Sequence, residues 1–244
     1  MNTYPLNPCS KPFGHFAVAR STFERQWLNW GVLWRRWLLR WRFRGGGAVK
    51  RAADIAGSIA FLLVFSPLYL ALALLVKLED RGPVFFSQTR TGRFGKKFQM
   101  YKFRSMRLDA EAEFEKLLAQ NQHADGVTFK MKNDPRITTV GKWLRRFSLD
   151  ELPQFFNVLK GGMSLVGPRP PTPREVLRYT LPDRRRLAVK PGLTCFWQVG
   201  GRSNIDFSGQ VKLDVQYIES AGFWVDIKIL LQTVRAVVAG TGAS

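Results

Sequence analysis

Two adjacent carboxylates, Asp150 and Glu151, stand in the segment Ser148-Leu149-Asp150-Glu151-Leu152-Pro153-Gln154. Ser148 with Glu151 three residues on fits a capping box, in which the acids do no more than start a helix. Pro153 offers a second register, because proline favours the first helical turn; the helix then starts there and both acids sit in the turn before it. In either register the carboxylates face the positive end of a helix, which keeps them ionised. An ionised, positioned carboxylate is what nucleophilic catalysis by aspartate needs, and a helix N-terminus also attracts phosphate. Arg145 and Arg146 lie just upstream and complement the charge.

Two further segments carry polar groups on stiff backbone. In Gly161–Pro171, Gly167 lets the chain turn while Pro168, Pro170 and Pro171 restrict it, so Arg169 is presented on a rigid loop. Arginine suits bidentate recognition of phosphate. Read alone, the same segment is an ordinary proline-rich surface turn. In Lys190–Arg202, a Lys-Pro-Gly turn precedes an aromatic wall, with Lys190, Gln198 and Arg202 as polar groups. That combination suits a nucleotide pocket, and equally a plain buried turn.

These loops must be held by regular elements. Pro83–Gln88 and Lys97–Phe103 alternate as strands, and Thr89–Lys96 between them carries Gly92 and Gly95, a hairpin signature. Leu108–Gln122 reads as an acidic amphipathic helix and Val140–Phe147 as a short basic one. Asp206–Glu219 and Phe223–Val238 read as two more amphipathic helices. The last is nearly all apolar, with Asp226, Lys228 and Arg235 as its charges; its pattern suits a core or a lipid surface.

Upstream, Ile55–Val76 runs for 22 residues without a charged side chain. As a helix it reaches roughly 33 Å, enough to cross a bilayer core. Both flanks are basic, with Lys50 and Arg51 before it and Lys77 and Arg81 after it. Positive charge marks the cytosolic side, so a straight crossing puts one flank on the wrong side. Ser66-Pro67 at the centre allows a helix that enters, breaks and returns. Pro67 removes a backbone donor and Ser66 can satisfy a freed carbonyl. A kinked ordinary span is the alternative. Asp54 at the membrane entrance needs a partner, and Lys50 and Arg51 one turn away can supply it.

Residues 1–19 read as a flexible lead. Beyond them Trp27, Trp30, Trp34, Trp37 and Trp41 recur at spacings of 3, 4, 3 and 4, with arginines largely off that face. This describes an interfacial membrane helix; a heptad seam has the same spacing, but repeated tryptophan is too bulky for it. Gly45-Gly46-Gly47 ends the segment as a hinge. The chain of 244 residues has 38 Lys+Arg against 18 Asp+Glu, a net charge of +20. The excess implies an anionic partner: phospholipid, phosphorylated substrate or nucleic acid. Nucleic acid alone leaves the apolar run unexplained; a non-catalytic basic membrane adaptor, binding anionic lipid through the Trp/Arg helix and the charge, stands beside an enzyme as a reading of these residues. Cys9 and Cys195 form no metal or disulfide pattern. The apolar stretch starts too late for a cleavable signal peptide.

Lys50-Arg51…Asp54, Ser66-Pro67, Lys102-Phe103-Arg104-Ser105-Met106, Ser148–Gln154, Gly167–Pro170, Lys190–Arg202 and Asp214…Tyr217 follow one another in this order. The ordered set resembles the bacterial sugar transferase family, the monotopic phosphoglycosyl transferases that start exopolysaccharide assembly, over roughly residues 49–244. The resemblance is to the family's short form. It implies a helix-rich α+β fold with a re-entrant broken helix, interfacial amphipathic helices and a small β-hairpin. It divides the chain into a lead and interfacial segment (1–48), a re-entrant helix-break-helix (49–80) and a cytosolic catalytic domain (81–244). It implies transfer of a sugar-1-phosphate from a UDP-sugar to undecaprenyl phosphate, releasing UMP, at the cytoplasmic face of the bacterial inner membrane. By the same resemblance Asp150 is the nucleophile that forms a covalent phosphosugar intermediate. Glu151 orients it, and the two hold Mg²⁺. Arg145, Gly167, Pro168, Arg169, Lys190, Gln198 and Arg202 match phosphate- or nucleotide-binding positions. Arg104, Asp214 and Asp226 match further polar positions. Cys195 stands where many members have glycine, with no catalytic role. The anionic bilayer is an implied partner, nucleic acid is not, and a homodimer is left open.

Overall fold

The uncharged run forms two helices instead of one. In the computed structural model, which describes residues 47–117, 131, 134–200 and 205–239, α1 (Gly47–Val64) and α2 (Ser66–Asp80) meet at a bend of 65°. Pro67 lies in the first turn of α2, where its missing N–H costs least. The Ser66 hydroxyl donates to the Leu63 carbonyl at 2.9 Å, so a group freed at the break is satisfied locally. Among the described residues no single helix is long and apolar enough to cross a membrane; this bent pair passes together, by length and composition. The tryptophan-rich segment, the lead before it, Arg202 and the end of the acidic helix expected over 108–122 lie outside the described residues.

α2 has two apolar faces. Leu72 and Val76 are buried, whereas Leu70, Leu74 and Leu78 are 73%, 59% and 68% exposed. Inward, Leu72 and Val76 pack with Phe103 and Leu144. Those two come from β2 (Lys97–Phe103) and α4 (Thr139–Arg146). β2 pairs antiparallel with β1 (Phe85–Thr91), from Phe85 opposite Phe103 to Thr91 opposite Lys97. The first strand runs three residues past its expected end, because the tight turn is confined to Gly92–Lys96. There the Gly92 N–H donates to the Lys96 carbonyl at 2.7 Å. α3 (Ala110–Leu117) follows the hairpin.

After α4 come a short 3₁₀ turn (Leu149–Glu151) and α5 (Gln154–Leu159). β3 (Ser164–Val166) and β4 (Gly192–Thr194) form a parallel pair, Ser164 opposite Gly192 and Val166 opposite Thr194. At three residues each they are too short for a periodic pattern to announce them. Their pairing brings the loop after Val166 against the Lys190–Gly192 turn. Contact is so close that a Cβ on Gly192 would sit 2.0 Å from the Gly167 nitrogen, so both positions need glycine. α6 (Pro173–Leu177) starts with a capping box between Thr172 and Glu175. α7 (Phe196–Gly200), α8 (Phe207–Ser220) and α9 (Phe223–Ala239) complete the described chain. Val166, Tyr217 and Ile229 join β3, α8 and α9 in a second core. The outer side of α9 leaves Trp224, Leu231, Val234 and Val238 exposed, so this helix packs against the core on one face and shows an apolar stripe on the other. The whole is a helix-rich α+β fold with a small β-hairpin.

The first turns of α1 are fastened to the body. Lys50 pairs with Asp226 of α9. Arg51 donates to the carbonyls of Val158 and Leu159 at 2.6 and 2.8 Å, the open end of α5. Asp54 accepts from the Ser164 hydroxyl at 3.1 Å and the Leu165 N–H at 3.0 Å. The expected pairing of Asp54 with Lys50 and Arg51 is therefore corrected. The C-terminal carbonyls of α5 attract the arginine, and the Ser164 hydroxyl and Leu165 N–H of β3 satisfy the aspartate.

Candidate active site

The Asp150–Glu151 pair sits in the 3₁₀ turn before α5, the second of the two registers open to the sequence. Ser148 makes no capping bond; it takes the left-handed conformation at φ 55°. A non-glycine residue there costs about 1–2 kcal/mol. In exchange the chain leaves α4 abruptly: the Ser148 N–H donates to the Arg145 carbonyl at 3.0 Å and the Glu151 N–H to the Ser148 carbonyl at 3.3 Å. From above, the Tyr69 hydroxyl of α2 donates to the Leu152 carbonyl. The turn is thus held from both ends.

β2 supplies the facing wall. Asn157, buried on α5, imitates a strand partner. Its amide donates to the Gln99 carbonyl at 2.6 Å, and its side-chain oxygen accepts from the Tyr101 N–H at 2.9 Å. This fixes the register between α5 and β2 and brings Lys102 to the pair. The Lys102 ammonium donates to Glu151 Oε1 at 2.8 Å and stands 3.5 Å from Asp150 Oδ2. Arg169 Nη1 donates to the same Glu151 oxygen at 3.1 Å. The loop bearing Arg169 is clipped to β1, where Arg90 donates to the Pro170 carbonyl at 3.1 Å and the Thr91 N–H to the Pro171 carbonyl at 2.8 Å.

The two carboxylates differ in environment. Burial works to raise the Glu151 pKa, but the charges of Lys102 and Arg169 and their hydrogen bonds outweigh it. They hold the carboxyl well below the usual carboxylate range. Glu151 is thereby pinned. Asp150, 7% exposed, has only the long contact to Lys102 among the described residues. Its oxygens are ionisable, positioned and largely unbonded, the state a nucleophile requires. Burial, and then the Arg169 charge, pull the Arg90 pKa down to about 10.

Two adjacent carboxylates are too few for a resident metal cage, and no group of three or more His, Cys, Asp or Glu that could hold a metal occurs among the described residues. Magnesium, however, is commonly held by one or two carboxylates together with substrate phosphates. Asp150 and Glu151 fit an ion that is completed by a diphosphate.

The other expected positions divide. Gly167 and Pro168 are buried in the loop that carries Arg169. Arg145 lies in the last turn of α4, five residues before Asp150, half-buried and in no ion pair with the dyad among the described residues. Five residues do not join the dyad. Arg104 pairs with Asp80 under the end of α2. Asp214 pairs with buried Arg186 at 2.5 Å. Asp226 pairs with Lys50 and accepts from the Tyr217 hydroxyl at 2.8 Å. Gln198 accepts from the Cys195 thiol at 3.1 Å. Lys190 lies beside Arg51 near Gly161. The residue pattern alone does not single out Lys102, Arg90 or Asn157 as site residues. Strand alternation puts Lys102 and Arg104 on one side, so the signal for Lys102 was present; the side-chain pairing of Asn157 with an edge strand leaves no trace in a pattern.

The bacterial sugar transferase model matches residues 46–240. The chain is 53% identical over 195 residues to the galactosyl transferase CpsE of Streptococcus agalactiae, covering 80% of this chain and 43% of that protein. It is 45% identical over 203 residues to the undecaprenyl-phosphate galactose phosphotransferase of Salmonella typhimurium, covering 82% and 42%. It is 39% identical over 201 residues to the exopolysaccharide production protein ExoY of Rhizobium meliloti, covering 81% and 89%. The chain thus spans about two fifths of the length of the first two.

Proposed function

Because the chain belongs to the bacterial sugar transferase family, we propose that it moves a sugar-1-phosphate from a UDP-sugar to undecaprenyl phosphate and releases UMP. The carrying observation is the asymmetry of the dyad: Glu151 bound by Lys102 and Arg169, Asp150 beside it almost unbonded. The names of the relatives, an undecaprenyl-phosphate phosphotransferase among them, support the substrate class.

Lys102, Arg169 and Arg90 attract the diphosphate of the donor to the dyad. An Asp150 oxygen bonds to the sugar-proximal phosphorus while the bond from that phosphorus to the bridging oxygen breaks. The electron pair leaves with UMP, and an aspartyl phosphosugar remains. An oxygen of undecaprenyl phosphate then bonds to the same phosphorus, the acyl phosphate bond breaks, and Asp150 returns as a carboxylate. Glu151, fixed by its two cations, keeps Asp150 in place through both steps. Asp150 and Glu151 would hold a magnesium ion, which would supply neutralisation of the charge on the transferring group.

The bent α1–α2 pair is read as re-entrant in one leaflet at the cytoplasmic face of the inner membrane. Its basic flanks and the exposed leucines of α2 support that placement. Tyr69 then connects the embedded pair to the turn that carries Asp150, so a lipid phosphate and a soluble nucleotide meet at the interface.

The test is incubation with UDP-sugars and undecaprenyl phosphate, reading UMP release. The names of two relatives make UDP-galactose the first donor to try. Mass spectrometry is expected to find a phosphosugar adduct on Asp150 in the parent protein and none in Asp150→Asn. Turnover by Asp150→Asn near the parent rate would exclude the covalent step.

A further inference from the structure

A second cluster of positive charge stands apart from the dyad, at the root of α1. Arg51 and Lys190 converge on Gly161: a Cβ at that position would lie 3.4 Å from Arg51 Nη2 and 3.9 Å from Lys190 Nζ. Arg93, at the hairpin tip, donates from Nε to the Ala188 carbonyl at 3.1 Å, which ties it to the segment that leads into Lys190. Arg51 is held by the carbonyls of Val158 and Leu159. Neutral carbonyls therefore fix two of the three cations, and among the described residues no carboxylate lies within ion-pair distance of any of them. The acid that acts on Lys190, Asp54, is occupied by Ser164 and Leu165. Burial and then the repulsion of Arg51, with a smaller part from Arg93, depress the Lys190 pKa. A folded chain holds like charges this close at a cost that a bound anion relieves.

Place decides the anion. Arg51 comes just before the uncharged run begins at Ile55. Beside Arg93, Phe94 is 71% exposed, an apolar ring next to a cation at the edge of the same cluster. This is the composition of a surface that meets the headgroup layer. We propose that Arg51, Lys190 and Arg93 form a binding site for the phosphodiester headgroup of an anionic bilayer lipid, distinct from the Asp150–Glu151 site. The proposal rests on the embedding of α1–α2 described above, but not on the transferase chemistry.

The test uses the full chain in nanodiscs of phosphatidylcholine with a minority of phosphatidylglycerol, extracted gently into detergent. The lipids retained are then counted by mass spectrometry. The parent protein is expected to retain phosphatidylglycerol in excess of its share. Lys190→Gln and Arg93→Gln are each expected to lower that enrichment about fivefold, the effect of one basic residue near a membrane surface. Lys190→Arg is expected to keep it. Equal enrichment in the parent and both glutamine variants overturns the site. Loss of phosphatidylglycerol from the parent on adding millimolar inorganic phosphate also overturns it, by showing a free-phosphate site. Retention of neither lipid would instead refute the embedding of α1–α2. None of these readings requires a sugar donor, so a failure of the transferase reading leaves them intact.

Discussion

Replacing Lys102 by methionine keeps the length of the side chain and removes its charge. In the structure that charge contacts both carboxylates, at 2.8 Å to Glu151 and 3.5 Å to Asp150, with side-chain exposures of 17%, 16% and 9% for the three residues. Breaking a buried ion pair from one side costs about 3–5 kcal/mol. Arg169 still neutralises Glu151, which places the loss near the lower limit, about 3 kcal/mol. The variant relieves this by protonating one carboxylate or swinging Asp150 out of place, and either outcome depletes the nucleophile. At about 1.4 kcal/mol per factor of ten, kcat/KM with UDP-galactose is expected to fall roughly a hundredfold. Its acid limb is expected to move to higher pH, because the dyad has lost a neighbour that favours ionisation. Initial rates of UMP release across pH measure both effects, with Lys102→Arg as the charge-retaining control. A Lys102→Met rate within threefold of the parent, on an unchanged pH profile, would show that Lys102 does not organise the dyad.

Asn157→Leu leaves the Gln99 carbonyl and the Tyr101 N–H without their partner. A loss of about 2–4 kcal/mol is expected in denaturant unfolding, with a drop in turnover as Lys102 shifts. Gly192→Ala forces a methyl to 2.0 Å from the Gly167 nitrogen; thermal stability and UMP release should fall together as the Arg169 loop is pushed off β4. Glu151, held below the usual range by Lys102 and Arg169, stabilises the fold at neutral pH and loses that contribution only as pH falls below the unfolded value, about 4.3. Between there and pH 3 the parent is therefore expected to lose about 1.4 kcal/mol per pH unit that Glu151→Gln does not lose.

Patterns carried by many residues are legible in the sequence. The broken helix at Ser66-Pro67, the hairpin, α4, α8 and α9 all follow from local periodicity, capping and proline chemistry, and they stand near their expected bounds. The parallel pair β3–β4 was not legible, since three residues cannot show a period. The dyad was readable as a pair of acids but not as an unequal pair. That inequality comes from Lys102 and Arg169, brought from β2 and the loop after β3. Arg104, Asp214 and Asp226 show the converse: acids and bases in conspicuous positions that pair to hold the body together. A motif lists charged residues in order; only packing tells which charges are already matched.

The polar root of α1 makes the bent helix pair inseparable from the body it joins. Lys50, Arg51 and Asp54 close the ends of α9, α5 and β3, so a fragment starting at α2 would expose three unmatched sites at once. A foreign tail spliced on in place of α1 would not repair them. The start of α1 can change only in step with the three elements it plugs into.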